Sequence, residues 1–191
     1  NGYKGLIISI EANPLMHKIL VSRAKKDKYW HIMPPFGLGR SESYSSLDIT
    51  KNSVSSSLLP VTKTGVSSLE GFKIIDTCPV KILTLDSLTS KLLGIINDYA
   101  VDNYSIQLKI DAEGYEYNIL LGATDFLKHV TSINIELSIE PFHEETLSYR
   151  EIIDFITSKN YRLFSFDRGF TLNSGRAMQI DAIFSSTLIS P

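Results

Sequence analysis

The alternation of short apolar runs with segments of helical spacing most limits the folds open to this chain. The clearest run, LIISI at residues 6–10, is continuous and rich in β-branched residues, which is typical of a strand buried on both faces of a parallel sheet. Asn13-Pro14 follows it as a favourable helix start, with Asn at the N-cap and Pro at the first helical position. Strands that alternate with helices predict an α/β fold with a mostly parallel sheet.

The same periodicities divide the rest of the chain. Strands are predicted at residues 6–10, 29–33, 79–85, 105–110, 132–139, 161–166 and 180–185. Helices are predicted at residues 13–26, at 86–99 with Asp86 or Ser87 as the cap, at 115–128 and at 148–159. No helix separates the last two strands, which predicts an antiparallel C-terminal hairpin. The serine-rich segment at about 40–79 is either a mobile loop or a hairpin of weak strands, inserted into a single domain spanning 1–191.

Composition narrows the class of protein. The chain has 191 residues, of which 43% are hydrophobic and 21% charged, enough for one sizeable core. A net charge of −2 offers no basic excess for nucleic acid. The single cysteine, Cys78, excludes an intrachain disulfide, and no apolar run reaches the roughly 18–20 residues of a membrane span. We therefore expect a cytoplasmic protein without a membrane or nucleic-acid partner.

Acidic residues follow three of the predicted strands. Glu11 ends the first strand, and Asp111 and Glu113 end the strand at 105–110. The strand at 132–139 carries Glu136, with His143 shortly after it. Ligands of open α/β sheets bind beyond the carboxyl ends of the strands, so these side chains form a candidate site.

Each residue also has a purely structural interpretation. Glu11 could be an exposed strand end, and Asp111 could stabilise the N-terminus of the next helix. Glu136 could be a paired buried acid, and His143 a surface-loop histidine. Their convergence on one edge of the sheet favours the functional interpretation.

A carboxylate after an early strand suits a ribose diol, because it can accept two hydroxyl hydrogen bonds at once. Glu11 is therefore a candidate for binding a nucleoside, whether of a nicotinamide or of an adenosyl-sulfonium cofactor. The phosphate loop G-x-G-x-x-G, which a dinucleotide would require, does not precede Glu11 in this chain.

The segment LKIDAEGYEYNILLGA at residues 108–123 resembles the central signature of the FkbM-type methyltransferases, in which an apolar run leads into I-D-x-E-G and a helix. Five further segments resemble elements of that family: ISIEANP at 8–14, FGLGRSESYSSLDIT at 36–50, NSVSSSLLP at 52–60, VKILTLDSL at 80–88 and INIELS at 133–138. The resemblance covers most of the chain. It implies a class I, Rossmann-like fold that transfers a methyl group from S-adenosylmethionine to an oxygen, often a hydroxyl of a sugar or another small molecule.

The resemblance also implies roles for individual residues. Glu11 would bind the ribose diol, and Asp111 and Glu113 would lie beside the sulfonium and the acceptor. The other residues implied at the cofactor are Asn13, Gly37, Leu38 and Ser56. The family's first strand and glycine-rich loop would lie upstream of Tyr3-Lys4-Gly5, so we expect the natural protein to extend further in that direction.

Methyl transfer to a hydroxyl requires a group that takes its proton. Asp111 is the first choice, because it ends the predicted central strand, and Glu113, Glu136 and His143 are the alternatives. The three acids could also hold a divalent cation, although nothing in their spacing demands a metal. The scattered histidines and the single cysteine argue against zinc.

Two other interpretations remain open from the sequence. Asp111 and Glu113 weakly resemble the acidic pair of metal-dependent nucleotide-sugar glycosyltransferases. The absence of the glycine-rich loop from this sequence would also be expected of a truncated, non-catalytic domain.

Overall fold

The computed structural model describes residues 4–52, 55–62, 70–99 and 103–188 as a mixed α/β protein, which confirms the predicted class. The strands are β1 (Ile7–Ser9), β2 (Trp30–Ile32), β3 (Gly37–Leu38), β4 (Ser43–Thr50), β5 (Ile74–Leu83), β6 (Ile106–Ile110), β7 (Val130–Ser138), β8 (Tyr161–Arg168) and β9 (Gln179–Ser186). The helices are α1 (Pro14–Ala24), α2 (Leu85–Asp98), α3 (Glu116–Leu121) and α4 (Tyr149–Ser158). No helix in the described ranges is long and apolar enough to cross a membrane.

The described strands form three sheets. β1 pairs with β2, β5 lies between β3 and β4, and the largest sheet has the order β6-β7-β9-β8. The pairs β1–β2, β3–β5 and β6–β7 are parallel, whereas β4–β5, β7–β9 and β8–β9 are antiparallel. Parallel and antiparallel pairs are therefore balanced among the described strands, and the single, mostly parallel Rossmann-like sheet is not confirmed.

Both hairpin predictions agree with the pairing. β8 and β9 form the predicted antiparallel C-terminal hairpin, and β9 lies inside the sheet against β7. In the serine-rich segment, β4 pairs antiparallel with β5 from Ser43↔Ile82 onwards, so the hairpin alternative holds there. Positions 53–54 and 63–69 of this segment lie outside the described residues.

Capping side chains explain where α1 and α2 begin. The Asn13 Oδ1 accepts the backbone N–H of Leu15 at 3.0 Å, as predicted. The prediction for α2 was wrong, because Thr84 is the N-cap and its Oγ1 accepts the N–H of Ser87 at 3.0 Å. Asp86 instead accepts the N–H of Phe126 at 2.8 Å, so it holds a distant turn rather than its own helix.

The helix predicted at 115–128 is shorter than its apolar spacing indicated. α3 ends at Leu121, and a separate 3₁₀ turn covers Phe126–His129. A Cβ added to Gly122 would lie 2.0 Å from the carbonyl oxygen of Gly39, so the chain passes too close for any larger residue. Glycine is thus required directly after the last residue of α3, at a point where the apolar spacing predicted that the helix continues.

The main core lies around the largest sheet. Its fully buried members include Leu120 on α3, Ile133 and Ile135 on β7, Ile156 on α4 and Phe184 on β9, each 0% exposed. Buried residues of α3 and α4 thus share one core with the sheet whose strands β6 and β7 precede Asp111 and contain Glu136.

A large cavity separates the β1 region from β6. Its volume is about 1320 Å³, and residues 5–13 line one wall while residues 104–113 line the other. β1 pairs only with β2 and β6 only with β7 among the described strands, so the facing edges of β1 and β6 border the cavity. The cavity extends to the residues that follow both strands.

Candidate active site

The cavity brings together most of the residues singled out in the sequence. All six predicted cofactor residues line it, namely Glu11, Asn13, Gly37, Leu38, Ser56 and Asp111. Glu113 and Glu136 line it as well. His143 is not among the lining residues. Segments far apart in the chain thus meet around one space, which is large enough for a nucleoside cofactor together with a small acceptor.

Glu11 is held at the start of α1. Its Oε1 accepts the backbone N–H of Asn13 at 2.7 Å, which fixes the carboxylate beside the helix N-cap. Burial raises the pKa of Glu11, while the backbone hydrogen bonds from Asn13 and Ala12 oppose the shift. A half-buried carboxylate on the cavity wall is suited to accept hydroxyl donors that would replace its lost hydration.

Asn13 supplies a second polar group at this wall. Its side chain is 2% exposed, and its Oδ1 is used in capping α1. Within the described part of the chain, its Nδ2 has no hydrogen-bond partner. A buried donor of this kind costs free energy unless something accepts from it, so the residue fits a polar ligand.

Gly37 and Ser56 line a third side of the cavity. Gly37 pairs with Ile82 of β5 in parallel register, and a Cβ on Gly37 would lie 2.8 Å from Cδ1 of that side chain. The Ser56 Oγ accepts the backbone N–H of Thr50 at 3.3 Å, which holds the serine run against β4. The insertion thereby forms part of the cavity wall.

Three carboxylates form a tight cluster at the ends of β6 and β7. Asp111, Glu113 and Glu136 each offer an oxygen, and these atoms lie within 4.8 Å of one another. Lys109 Nζ lies 3.1 Å from Asp111 Oδ2, and Gln179 Nε2 donates to Glu136 Oε2 at 2.6 Å. Hard oxygen ligands at this spacing could hold a divalent cation, or they could share protons.

Burial and mutual repulsion change how these acids titrate. Burial, and then the charges of Asp111 and Glu116, raise the pKa of Glu113 to about 8. Burial, and then the charges of Glu113 and Asp111, raise the pKa of Glu136 to about 9. In the absence of a bound cation, both side chains therefore carry protons at neutral pH and can donate hydrogen bonds.

The loop between β6 and α3 is held by a buried acid that the sequence analysis missed. Glu116 is 2% exposed, and its Oε1 accepts the N–H groups of Ala112 at 2.9 Å and Gly114 at 3.1 Å. Glu113, between them, has a φ of 49°, and Gly114 has a φ of 93°. The sequence held one signal for this role. Glu116 falls in the first turn of a predicted helix, directly after the loop that contains Glu113 and Gly114.

His143 lies behind this loop. It is 3% exposed, and a Cβ added to Gly114 would lie 3.3 Å from its Cβ and 2.5 Å from Oγ1 of Thr146. Burial lowers the pKa of His143 to about 4, so its imidazole is neutral at physiological pH. The structure therefore separates His143 from the cavity and brings together the other three predicted catalytic residues.

Two further contacts to the acids were not apparent from the sequence. Gln179, which binds Glu136, opens β9 opposite Ser138, a pairing that depends on the strand order. Ser57 belongs to the serine run already noted, and its Oγ donates to the carbonyl oxygen of Glu113 at 2.8 Å.

Comparison with known proteins identifies the family. A family model described as the methyltransferase FkbM domain matches residues 1–163 of the 191-residue chain. No curated protein and no solved structure gave a significant match. The family match spans most of the chain and includes the cavity walls and the three clustered acids, so the chain belongs to the FkbM methyltransferase family.

Proposed function

We propose that this FkbM-family methyltransferase transfers the methyl group of S-adenosylmethionine to a hydroxyl oxygen of a small molecule or carbohydrate. One observation carries the proposal. A single cavity is lined both by the six residues predicted at the cofactor and by the three clustered carboxylates.

The wall near α1 fits the nucleoside part of the cofactor. Glu11 would accept hydrogen bonds from the ribose hydroxyls, and Asn13 Nδ2 would donate to a polar atom of the cofactor. Gly37 and Leu38 would border the adenine, with Ser56 at its edge. When bound, S-adenosylmethionine supplies an electrophilic methyl group on a positively charged sulfonium.

The carboxylate cluster suits the acceptor. Asp111 is the first candidate for the general base, because its side chain is 47% exposed and borders the cavity. Glu113 and Glu136, which carry protons at neutral pH, can donate hydrogen bonds that orient the acceptor oxygen. Placing the acceptor accounts for much of the expected rate, because methyl transfer depends on an in-line approach.

The family match favours methyl transfer over the nucleotide-sugar glycosyltransferase interpretation, although the acid cluster could bind a cation in either class of enzyme. The two functions differ in their donor. A glycosyltransferase would need a sugar nucleotide with Mn²⁺ or Mg²⁺ and would not respond to S-adenosylmethionine.

The direct experiment uses S-adenosylmethionine that carries a labelled methyl group. The chain is incubated with panels of hydroxylated small molecules and sugars, with and without Mg²⁺, and labelled products are analysed by mass spectrometry. Transfer to an oxygen is expected with the wild-type chain and is lost in Asp111→Asn. Transfer to nitrogen or carbon alone would contradict the proposed acceptor class.

A further inference from the structure

We propose that Ser57 and Glu116 are positioning residues that hold the peptide of Glu113 from two sides and thereby place its carboxylate in the acid cluster. This inference rests on the proposed function. It gives the serine-rich insertion a role in the active site, through a side chain far from the acids in sequence.

Ser57 is itself fixed before it reaches Glu113. Backbone hydrogen bonds join it to Asp48 on β4 in both directions, at 3.0 Å and 3.3 Å. Its Oγ accepts the N–H of Leu59 at 3.1 Å and donates to the Glu113 carbonyl at 2.8 Å. The side chain is 2% exposed, so water competes little for this hydroxyl.

Ser57 binds the carbonyl of the peptide unit that joins Glu113 to Gly114, and Glu116 binds the N–H of the same unit. One carboxylate oxygen binds the N–H groups of Ala112 and Gly114, the two residues that flank Glu113. Burial raises the pKa of Glu116, and the hydrogen bonds from the N–H groups of Ala112 and Gly114 oppose that rise. The bonds thus restrain the backbone immediately before and after Glu113.

The backbone conformation explains why this restraint is needed. A φ of 49° is uncommon for a residue with a side chain and persists only where its surroundings enforce it. His143 and Thr146 close the space behind Gly114, which removes the room for the loop to relax in that direction. Without Ser57 or Glu116, we expect the Glu113 carboxylate to leave the cluster that it forms with Asp111 and Glu136.

The test compares kinetic constants of matched variants. Ser57→Ala removes the hydroxyl, Ser57→Thr retains it, and Ser46→Ala changes an exposed serine on β4 as a control. We expect Ser57→Ala to lower kcat by about tenfold or more while its KM for S-adenosylmethionine stays within about twofold, since small misplacements cost rate more than binding. Ser57→Thr should recover most of kcat, and Ser46→Ala should match the wild type. An unchanged kcat in Ser57→Ala would overturn the inference.

Amide hydrogen exchange measures the restraint independently of activity. The N–H groups of Ala112 and Gly114 should be protected in the wild type and exchange at least about tenfold faster in Glu116→Ala, whereas Glu116→Gln retains an acceptor and should fall between. Equal exchange in all three proteins would overturn the inference. If the wild type showed this protection but no methyl transfer, the proposed function and the catalytic role would both fail, while the restraint itself would stand.

Discussion

Gln179 donates a hydrogen bond from Nε2 to Oε2 of Glu136 across the β7–β9 pair, at 2.6 Å. The contact joins the cluster of acids to the C-terminal hairpin. It also leaves Glu136 facing Glu113, Asp111, Glu116 and Asp181, with Lys109 as the nearby cation. Burial is the main reason that the ionised form of Glu136 is unfavourable, and any negative charge on these neighbouring acids adds to it.

Glu113 and Glu136 should therefore each contribute a stability that is lost as pH rises. Glu113 and Glu136 have folded pKa values of about 8 and about 9 against an ordinary value of 4.5. Between pH 4.5 and about 8–9 the folded state retains protons that the unfolded state has released, so rising pH favours unfolding.

Glu136→Gln tests this expectation, because it removes one titrating group and retains an acceptor for Gln179. Thermal unfolding is measured from pH 5 to 9 in buffer containing a chelator. The decline of Tm with pH should be smaller in Glu136→Gln than in the wild type. Parallel pH profiles for the two proteins would contradict the assigned environment of Glu136.

Gly114 should tolerate substitution poorly for two reasons. Its φ of 93° disfavours a side chain, and an added Cβ would lie 2.5 Å from Thr146 Oγ1. We expect Gly114→Ala to lower the free energy of unfolding by roughly 3 kcal/mol. Gly175→Ala is the matched control, because Gly175 has a φ of 87° but open space around it, and about 1 kcal/mol is expected there. The free energy of unfolding of both variants is measured by urea unfolding. Equal losses in Gly114→Ala and Gly175→Ala would show that the loop around Gly114 is not closely packed.

Two other glycines should respond in opposite directions. Gly94 lies inside α2 with nothing within 4 Å of an added Cβ, so Gly94→Ala should stabilise the chain by about 1 kcal/mol. Gly122→Ala would place a Cβ 2.0 Å from the Gly39 carbonyl oxygen and should cost more than about 2 kcal/mol. Urea unfolding of both variants measures these changes. Stabilisation by Gly122→Ala would contradict the close approach of Gly122 to the Gly39 carbonyl.

Local signals predicted those features whose partners are close in sequence. Asn13 caps α1 through N–H groups two and three residues away, and Pro14 reinforces the same start. The acids Glu11 and Asp111 could be found because each directly follows an apolar run. These features could be predicted because the residues that form each of them are neighbours in the sequence.

The missed features depend on contacts between distant segments. Gln179 reaches Glu136 only because β9 lies beside β7, and Ser57 reaches Glu113 only because the insertion hairpin folds over the acid loop. Gly122, directly after α3, lies against the carbonyl of Gly39, a residue that follows β3. Periodicity cannot report such contacts, because it records which face of an element is apolar and not what that face meets.

Binding of S-adenosylmethionine tests the cofactor assignment most directly. The measurement is an isothermal titration of S-adenosylmethionine into the wild-type chain, Glu11→Ala and Glu42→Ala, where Glu42 is an exposed acid outside the cavity. We predict saturable binding by the wild type and by Glu42→Ala, and a loss of at least about tenfold in affinity for Glu11→Ala, because two ribose hydroxyls lose their acceptor. Absence of saturable binding to the wild type, or equal affinity in Glu11→Ala, would contradict the assignment of this cavity to the methyl donor.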